Sequence, residues 1–236
     1  QRQMCIRDRF NMRYFSIIFV LCLTLSMVQA QQTSFVNPFI GTSDDHGQTD
    51  PSATIPFGMI KPGPETIPRG NGGYDYQSQQ LKGFSQTRMS GVGCIGVGGN
   101  LLIIPFVGTA CKTLKMDKAS ETAIPGYYSV TLDNQLKVEI TTGRTAAIYR
   151  FTYPATETAG IKINFKHSYG KHIAEEHSII GDNAVKGFVR SACTCDLGSY
   201  KFYYYIEKDK STYKPEDNDS DCLLYTSDAA DDSLRV

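Results

Sequence analysis

The stretch GVGCIGVGGNLLIIPF, residues 91–106, decides the fold class, because its first six residues have the spacing G-x-G-x-x-G. Dinucleotide-binding loops share that spacing, but there a strand precedes the glycines and the N-terminus of a helix follows to hold the pyrophosphate. Here polar, turn-forming residues precede the glycines, and an apolar run ending at Pro105 follows. A helix does not begin in such a run. The glycines therefore predict a tight bend that leads into a β-strand, and a nucleotide site is disfavoured.

Short strands separated by turns continue downstream. GYYSVTL and LKVEITT flank the turn Asp133-Asn134 and predict a hairpin, and SIIGDNAVKGFVR predicts another. IKINFKH (161–167) alternates apolar and polar residues, and SYKFYYYIEKD (199–209) is rich in aromatic residues that suit a half-buried strand. The pattern predicts an all-β fold, an antiparallel β-sandwich. Its N-terminal region, residues 31–100, is long and loop-rich, with prolines that interrupt any helix.

Both ends of the chain point to DNA that is not part of a natural gene. The segment QRQMCIRDR (1–9) can be encoded by a DNA whose reverse complement also encodes part of this chain. Read one base out of frame, that reverse complement encodes CLLYTSDA (222–229). We interpret 1–9 and 222–236 as translated adapter DNA and exclude them from the fold prediction. The folded domain is then predicted to span 31–221.

Residues 12–30 have the organisation of a secretory signal peptide. Arg13 supplies the positive charge, YFSIIFVLCLTLSM is the apolar segment, and VQA (28–30) places small residues at the cleavage site. The apolar segment is too short to span a membrane. Leu21 is too bulky for the position before a lipidated Cys22. We therefore predict export to the periplasm or the extracellular space, in preference to a cell-surface lipoprotein.

Charge and cysteine content narrow the class of protein further. Lys and Arg number 24, as do Asp and Glu, so no excess of positive charge argues for a nucleic-acid partner. In the domain, Cys94, Cys111, Cys193 and Cys195 allow three disulfide pairings. The C-x-C spacing of the last two strains a direct bridge and differs from the paired C-x-x-C of a zinc site. The pattern favours free or singly bridged cysteines.

Two clusters contain candidate ligands. In HIAEEH (172–177) the histidines are five residues apart, which matches neither H-E-x-x-H nor H-x-x-E-H, and we predict a polar loop. GTSDDHGQTD (41–50) groups three carboxylates around His46 and leaves two interpretations open, a simple turn or a polar loop of a sugar or ion site. A serine hydrolase is disfavoured, because no G-x-S-x-G elbow surrounds Ser90.

Three stretches together resemble a known family. They are FVNPFIGT (35–42), ATIPFGMIKPGPET (53–66) and GGYDYQSQQLKGFSQTRMSGVGCIGVGGNLLIIP (72–105). In this order and spacing they resemble the N-terminal domain of glycoside hydrolase family 92, whose members are exo-acting α-mannosidases. The resemblance is strong over 35–110 and weaker over 111–215.

This resemblance implies a two-domain enzyme, in which a helical (α/α)6 barrel follows the β-sandwich and the active site lies between them. It also implies hydrolysis with inversion and a dependence on calcium, which grips the mannose hydroxyls. Inversion needs one carboxyl as acid and another as base, and the family carries both in the helical domain, which is missing here. We therefore expect a non-catalytic half with no metal site of its own. Mannose-containing glycans are the implied substrates, and the helical domain is the implied partner.

By matching motif, the resemblance implies that two loops of this chain form the wall of the substrate pocket. The candidate substrate-binding residues are Asp45 and His46 in the first loop and Gln86, Thr87, Arg88 and Ser90 in the second. Arg88 is expected to fork two hydrogen bonds to sugar hydroxyls or to a barrel carboxylate, or else to form a surface salt bridge. Tyr74 and Tyr76 are candidates for stacking platforms or for core aromatics.

The sequence departs from the family at two points. It contains no Trp, a residue that relatives often place near the sugar leaving group. The segment QTR (86–88) also replaces a commoner form that contains His. Both departures leave the linkage preference open.

Two other hypotheses remain at this level. The chain is either a stand-alone carbohydrate-binding β-sandwich or a purely structural sandwich that shields the barrel. An exposed apolar face beside the two loops would favour the enzyme half, since a partner must cover it. A polar surface with an aromatic platform would favour the binding module.

Overall fold

The computed structural model describes residues 33–43, 47–91, 97–108, 114–155, 159–208, 214–215, 222–227 and 231–236. Within these residues the helical elements are two 3-10 turns, Thr33–Phe35 and Thr194–Asp196. Everything else that is regular is β, which confirms the predicted all-β class. The strands are β1 Gly63–Thr66, β2 Gln80–Ser85, β3 Leu102–Val107, β4 Leu114–Ile124, β5 Tyr127–Leu132, β6 Lys137–Thr142, β7 Ala147–Thr152, β8 Ala159–Asn164, β9 His172–Ile180, β10 Ala184–Ala192, β11 Ser199–Lys208, β12 Lys214–Pro215, β13 Cys222–Ser227 and β14 Asp231–Arg235.

The strands form two sheets that share the long strand β4. One sheet has the order β12-β13-β8-β3-β2, with β1 also paired to β2, and the other has the order β5-β6-β7-β14-β11-β10-β9. Leu114 and Lys115 of β4 pair with β2, and from Met116 onward the same strand pairs with β5. All described pairings are antiparallel, so β4 carries the hydrogen-bonded path from one sheet into the other.

The core lies between the inner faces of the two sheets. The ring of Phe84, on β2, lies 6.4 Å from the ring of Tyr128 on β5 and 6.5 Å from that of Tyr149 on β7. Farther along, Phe165 stacks on Tyr204 of β11 at 5.4 Å. Side chains from both sheets therefore fill one apolar layer, as in a β-sandwich.

The predicted strand patterns are confirmed in detail. Ile161, Ile163 and Phe165 are fully buried, while the residues that alternate with them are at least partly exposed. Both predicted hairpins form, β5–β6 around the Asp133-Asn134 turn and β9–β10. Strand β3 begins where the glycine-rich stretch was predicted to enter a strand.

One sequence prediction about local structure was wrong, and one strand passes through a proline. HIAEEH is not a polar loop but the first part of β9, which pairs with β10 along its whole length. A strand at the edge of a sheet with one face in solvent carries polar residues without losing its ladder, so polarity misled the prediction. Strand β3 also continues through Pro105 to Val107. That proline is tolerated because β2 pairs with β3 only at Ile103, so the β2 side of Pro105 has no ladder bond to lose.

The ends of the chain are described only in part. Residues up to Asn37 form a unit of their own, in which the structure describes 33–37. The predicted adapter segment 1–9 and signal peptide 12–30 lie outside the described residues. Strands β13 and β14 lie in 222–236, and their pairing does not test the origin of that segment. No described helix is long and apolar enough to cross a membrane.

Candidate functional site

The two predicted loops lie side by side at one end of the sandwich. The backbone N–H of Gly91 donates to the carbonyl of Gln48 at 2.7 Å, and Ser90 Oγ donates to Asp50 Oδ2 at 2.7 Å. These bonds join the first loop (residues 41–50) to the second loop (residues 86–100). Asp45 and His46 lie outside the described residues, but Gly47, just after them, accepts a backbone bond from Gly72.

Asp50 is the centre of a buried charged cluster with Lys61 and Ser90. Lys61 Nζ lies 3.0 Å from Asp50 Oδ2 and also donates to Ser90 Oγ, while the N–H of Ser52 donates to Asp50 Oδ1 at 3.1 Å. Burial by itself raises the pKa of Asp50, but the positive charges of Arg88 and Lys61, together with hydrogen bonds from Ser52 and Ser90, leave the pKa below its ordinary value. Asp50 is therefore a carboxylate, and Lys61 serves as its partner and not as a base for Ser90.

Arg88 is buried, and its guanidinium is used within the domain. NH1 donates to the carbonyl of Gly72 at 3.4 Å, and NH2 donates to Ser85 Oγ at 3.2 Å and to the carbonyl of Gly63. Burial lowers the pKa of Arg88, and the surrounding phenol and carboxyl groups, Tyr169 first, reverse that effect. The predicted surface salt bridge is wrong, since only 9% of Arg88 is exposed. Arg88 instead fixes the backbone around Gly63 and Gly72.

Gln86 has no exposed surface, and its side chain makes hydrogen bonds inside the domain. Its Nε2 donates to the carbonyls of Phe84 and Leu101 at 3.2 and 3.3 Å, and its Oε1 accepts from the hydroxyl of Tyr149 at 2.9 Å. These contacts use both ends of the amide. Gln86 therefore ties the start of the second loop to β7 in the opposite sheet.

Thr87 and Asn100 tie the two ends of the second loop together. Thr87 Oγ1 donates to Asn100 Oδ1 at 2.9 Å, which also accepts from the hydroxyl of Tyr200 at 2.7 Å. Asn100 Nδ2 donates to Ser191 Oγ at 3.1 Å. An isolated β-bridge between Arg88 and Gly98 closes the loop next to this network. The two ends of the second loop are thus held together, while most of the predicted tight bend, residues 92–96, lies outside the described residues.

His167 enters the site although the sequence did not predict it. Its Nδ1 donates to the carbonyl of Gly99 at 2.5 Å, and its Nε2 lies 3.2 Å from Oε2 of the fully buried Glu65. Burial lowers the pKa of His167, and the Glu65 carboxyl only partly offsets that effect. The contact with Gly99 joins residues 68 positions apart in the sequence, so no local pattern could have announced it.

Tyr169 packs against two glycines that the fold requires. Gly73 and Gly99 have φ of +90° and +75°, and a Cβ added to either would lie 1.7 or 2.5 Å from an atom of the Tyr169 side chain. Arg69 covers the same ring, with Cζ 4.4 Å from its centroid. Close approach of the backbone to the ring therefore explains glycine at both positions.

The two candidate stacking residues differ in exposure. Tyr74 is fully buried and its hydroxyl donates to the Glu121 carboxylate at 2.9 Å, so it is a core aromatic. Tyr76 is 44% exposed and meets the ring of Phe39 edge-on at 5.5 Å. Of the pair, only Tyr76 is exposed, and Lys118 Nζ lies 4.7 Å from the centroid of its ring.

Large apolar side chains are exposed on and near the two loops. Ile40 is 72% exposed and Met89 is 51% exposed, and elsewhere in the chain Phe57 is 94% exposed. Phe57 also has a φ of +60°, a conformation that costs an aromatic residue energy and that recurs at functional sites. Exposed apolar groups of this kind are typical of a surface that another domain covers.

Candidate metal ligands and cysteines occur throughout the described residues. In the described part of the chain, no group of three or more His, Cys, Asp or Glu side chains is placed to hold a metal ion. The donor set for the implied calcium therefore does not fit these residues. Cys193 and Cys195 are not bridged to each other, and Cys94 and Cys111 lie outside the described ranges.

Comparisons with known proteins identify relatives. The family model of the glycosyl hydrolase family 92 N-terminal domain matches residues 35–218. A protein of Arthroderma benhamiae, described as an uncharacterized secreted glycosidase, is 31% identical over 159 residues, which are 61% of this chain and 20% of that protein. An α-mannosidase of this family from Bacteroides thetaiotaomicron is 26% identical, with a TM-score of 0.74 over 86% of this chain and 32% of its own. An inverting mannosidase of the same organism is 21% identical, with a TM-score of 0.67 over 86% of this chain and 30% of its own, and shares the fold. The chain thus spans about a third of the length of the solved relatives and a fifth of the curated one.

Proposed function

The chain belongs to glycosyl hydrolase family 92, whose N-terminal domain it carries, and we propose that it is the non-catalytic half of an exo-α-mannosidase. The parent enzyme is exported, depends on calcium, and removes terminal α-mannose from glycans with inversion. The role of this half is to form one wall of the substrate pocket. Two solved relatives that share its fold are described as mannosidases, which supports the proposed activity of the parent.

The observation that carries the proposal is the rigid junction of the two loops. Asp50, Ser90 and Lys61 join the loops through partly buried, charge-assisted hydrogen bonds, and Arg88 fixes the segment beside them. Such a junction holds the described ends of both loops in place, which lowers the cost of ordering them when a ligand binds. The exposed Ile40 and Met89 beside the loops favour the enzyme half over a sandwich that stands alone.

The catalytic carboxyls belong to the helical domain in this proposal. An inverting glycosidase separates its acid and base carboxyls by about 6.5–9.5 Å, so that a water molecule fits between the base and the sugar. In the described part of this chain, the carboxylate of Asp50 is already bonded to Lys61 and Ser90, and Glu65 has no exposed surface. Neither group is placed to protonate a glycosidic oxygen. The contribution of this chain is to shape the pocket and exclude water from it.

Calcium would be held outside the described residues. Bound calcium would fix and polarise the mannose hydroxyls in the pocket. We expect the parent enzyme to lose turnover of an aryl α-mannoside on treatment with a strong chelator and to regain it with added calcium. Turnover that persists after exhaustive chelation would reject the calcium dependence while leaving the mannosidase activity intact.

Export is supported by two features. Residues 12–30 have the pattern of a signal peptide, and the relative from Arthroderma benhamiae is described as secreted. Mass spectrometry of the protein recovered outside the cytoplasm tests the proposal. A mature N-terminus at Gln31 is expected, and a lipid-modified Cys22 would contradict it.

A carbohydrate-binding module is the second candidate function. Tyr203 and Tyr205, on the outer face of β11, are 69% and 50% exposed, and Phe188 lies beside Tyr203 at 5.9 Å. Lys201 covers the Phe188 ring at 4.2 Å, so polar and aromatic groups share this face. If this chain alone binds glycans, and if Tyr203→Ala abolishes that binding, the result would favour the binding module.

A further inference from the structure

Strand β11 is paired along the whole of one edge but along only part of the other. On one side β10 pairs with it from Ser199 to Glu207, but on the other side β14 pairs only with Glu207 and Lys208. β14 leads to Val236, the last residue, which exchanges two backbone hydrogen bonds with Ala147 of β7 at 2.7 and 2.8 Å. Beyond Val236, a cavity of about 680 Å³ lies between the edge of β11 and the turn that joins β6 to β7, and we call this cavity the slot. Its lining includes Met59, Thr145, Ala146, Tyr203, Tyr205 and Val236.

The backbone of β11 faces this cavity with unpaired groups. The N–H of Lys208 donates to Asn183, on the β10 side. Because the direction of the backbone groups alternates along a strand, those of Lys201, Tyr203 and Tyr205 point away from β10 and into the cavity. Among the described residues, no backbone partner faces them on that side. A row of free donors and acceptors on a strand edge binds an added strand.

The side chains set the pattern that an added strand must have. The register of β14 places Val236 opposite Ile206, and both side chains are buried, at 9% and 0% exposure. With a period of two, the next inward positions lie opposite Tyr204 and Phe202, and the positions between them face solvent. Tyr204 is 8% exposed, in agreement with an inward face. The slot therefore fits a strand whose apolar residues fall opposite Phe202, Tyr204 and Ile206.

We propose that the slot beside β11 binds a β-strand from the parent chain beyond residue 221. This chain covers 32% of the length of a solved relative, so the parent has further chain to supply the strand. The segment that reaches the slot here, 231–236, lies in the part that the sequence attributes to adapter DNA. The inference concerns completion of the sandwich and does not depend on mannosidase activity.

The test extends the 236-residue protein past Val236 by five residues. Thr-Val-Thr-Val-Lys places both valines at the inward positions, and Val-Thr-Val-Thr-Lys, of the same composition, places them outward. Hydrogen exchange of the amides of Lys201, Tyr203 and Tyr205 is measured in both variants and in the unextended protein. We expect the first extension to slow exchange at these amides by about tenfold or more and the second to leave it nearly unchanged. The parent chain, expressed from the natural DNA downstream of the Asp221 codon, is expected to show the same protection.

Three results would overturn the proposal. Equal protection by both extensions would mean nonspecific coverage, and no protection by either would mean that the edge does not accept a strand. Protection already present in the unextended protein, with a doubled mass by light scattering, would make a second copy the occupant. Fast exchange of these amides in the parent chain would exclude the downstream strand.

Discussion

Ser90 Oγ and Asp50 Oδ2 are 2.7 Å apart, although the two residues are 40 positions apart in the sequence. This bond connects the two loops that the family motif places at the substrate pocket. Lys61 completes the cluster and balances its charge. The junction of the two loops therefore depends on a carboxylate whose side chain has no exposed surface, and this dependence can be tested.

Replacement of the Asp50 carboxylate should loosen the pocket wall. Asp50→Asn keeps the shape of the side chain but leaves Lys61 without its ion-pair partner, at a cost of about 2–3 kcal/mol in the free energy of unfolding. Denaturant titration measures that cost. Asp133→Asn, at an exposed turn position, is the matched control and should change stability by less than about 0.5 kcal/mol. Equal effects of both substitutions would show that the cluster does not stabilise the loops.

Acid should weaken the fold through the same residue. The pKa of Asp50 is lower in the folded protein than in the unfolded chain, so its contribution is complete above the unfolded value, about 3.9, and is lost as the pH falls through the folded value. We expect the stability of the wild-type protein to fall more steeply with pH below about 5 than that of Asp50→Asn. Parallel stability curves for the two proteins over pH 2–6 would contradict the assigned role of Asp50.

Gly73 should be irreplaceable for a reason that Gly198 lacks. Both residues have a φ of +90°, but a Cβ at Gly73 would lie 1.7 Å from the Tyr169 hydroxyl, whereas a Cβ at Gly198 would meet nothing within 4 Å. Gly198→Ala should therefore cost only the backbone strain, about 1–2 kcal/mol. Gly73→Ala should cost that and the clash, about 1–3 kcal/mol more. Thermal unfolding of both variants decides this, and equal losses would exclude the contact with Tyr169.

A double variant separates the clash from the strain. In a Tyr169→Ala background the atoms that a Cβ at Gly73 would meet are gone, so Gly73→Ala should then cost no more than Gly198→Ala. The stability losses from two substitutions are not additive when the residues are in contact, whereas losses at distant residues add. Additive losses in the double variant would mean that Tyr169 and Gly73 do not interact.

The sequence predicted the fold wherever burial alternates strictly. IKINFKH and the two hairpins have a period of two and clear turn residues, and all formed as predicted. β4 was not recognised, because LKMDKASETAI mixes charges with small residues and pairs with two partners in turn. β9 was misassigned for a related reason, since a partly solvated edge strand does not need an apolar face along its whole length.

The sequence predicted which loops contain the candidate residues, but it did not predict the contacts that these residues make. Motif matching indicated Gln86, Thr87, Arg88 and Ser90, and the structure places all four in one region. Gln86 and Arg88, however, bond to the backbone and to the opposite sheet, which no local pattern reveals. Their roles as substrate contacts stay predictions, as do those of Asp45 and His46.

Hydrolysis of an aryl α-mannoside by the parent chain, compared with hydrolysis by residues 31–221 alone, tests the central claim most directly. The reaction is followed by proton NMR so that the first anomer released is seen. We predict that the parent turns over the substrate and releases β-mannose first, and that residues 31–221 show no turnover. Turnover by residues 31–221, or a parent without α-mannosidase activity, would contradict the account.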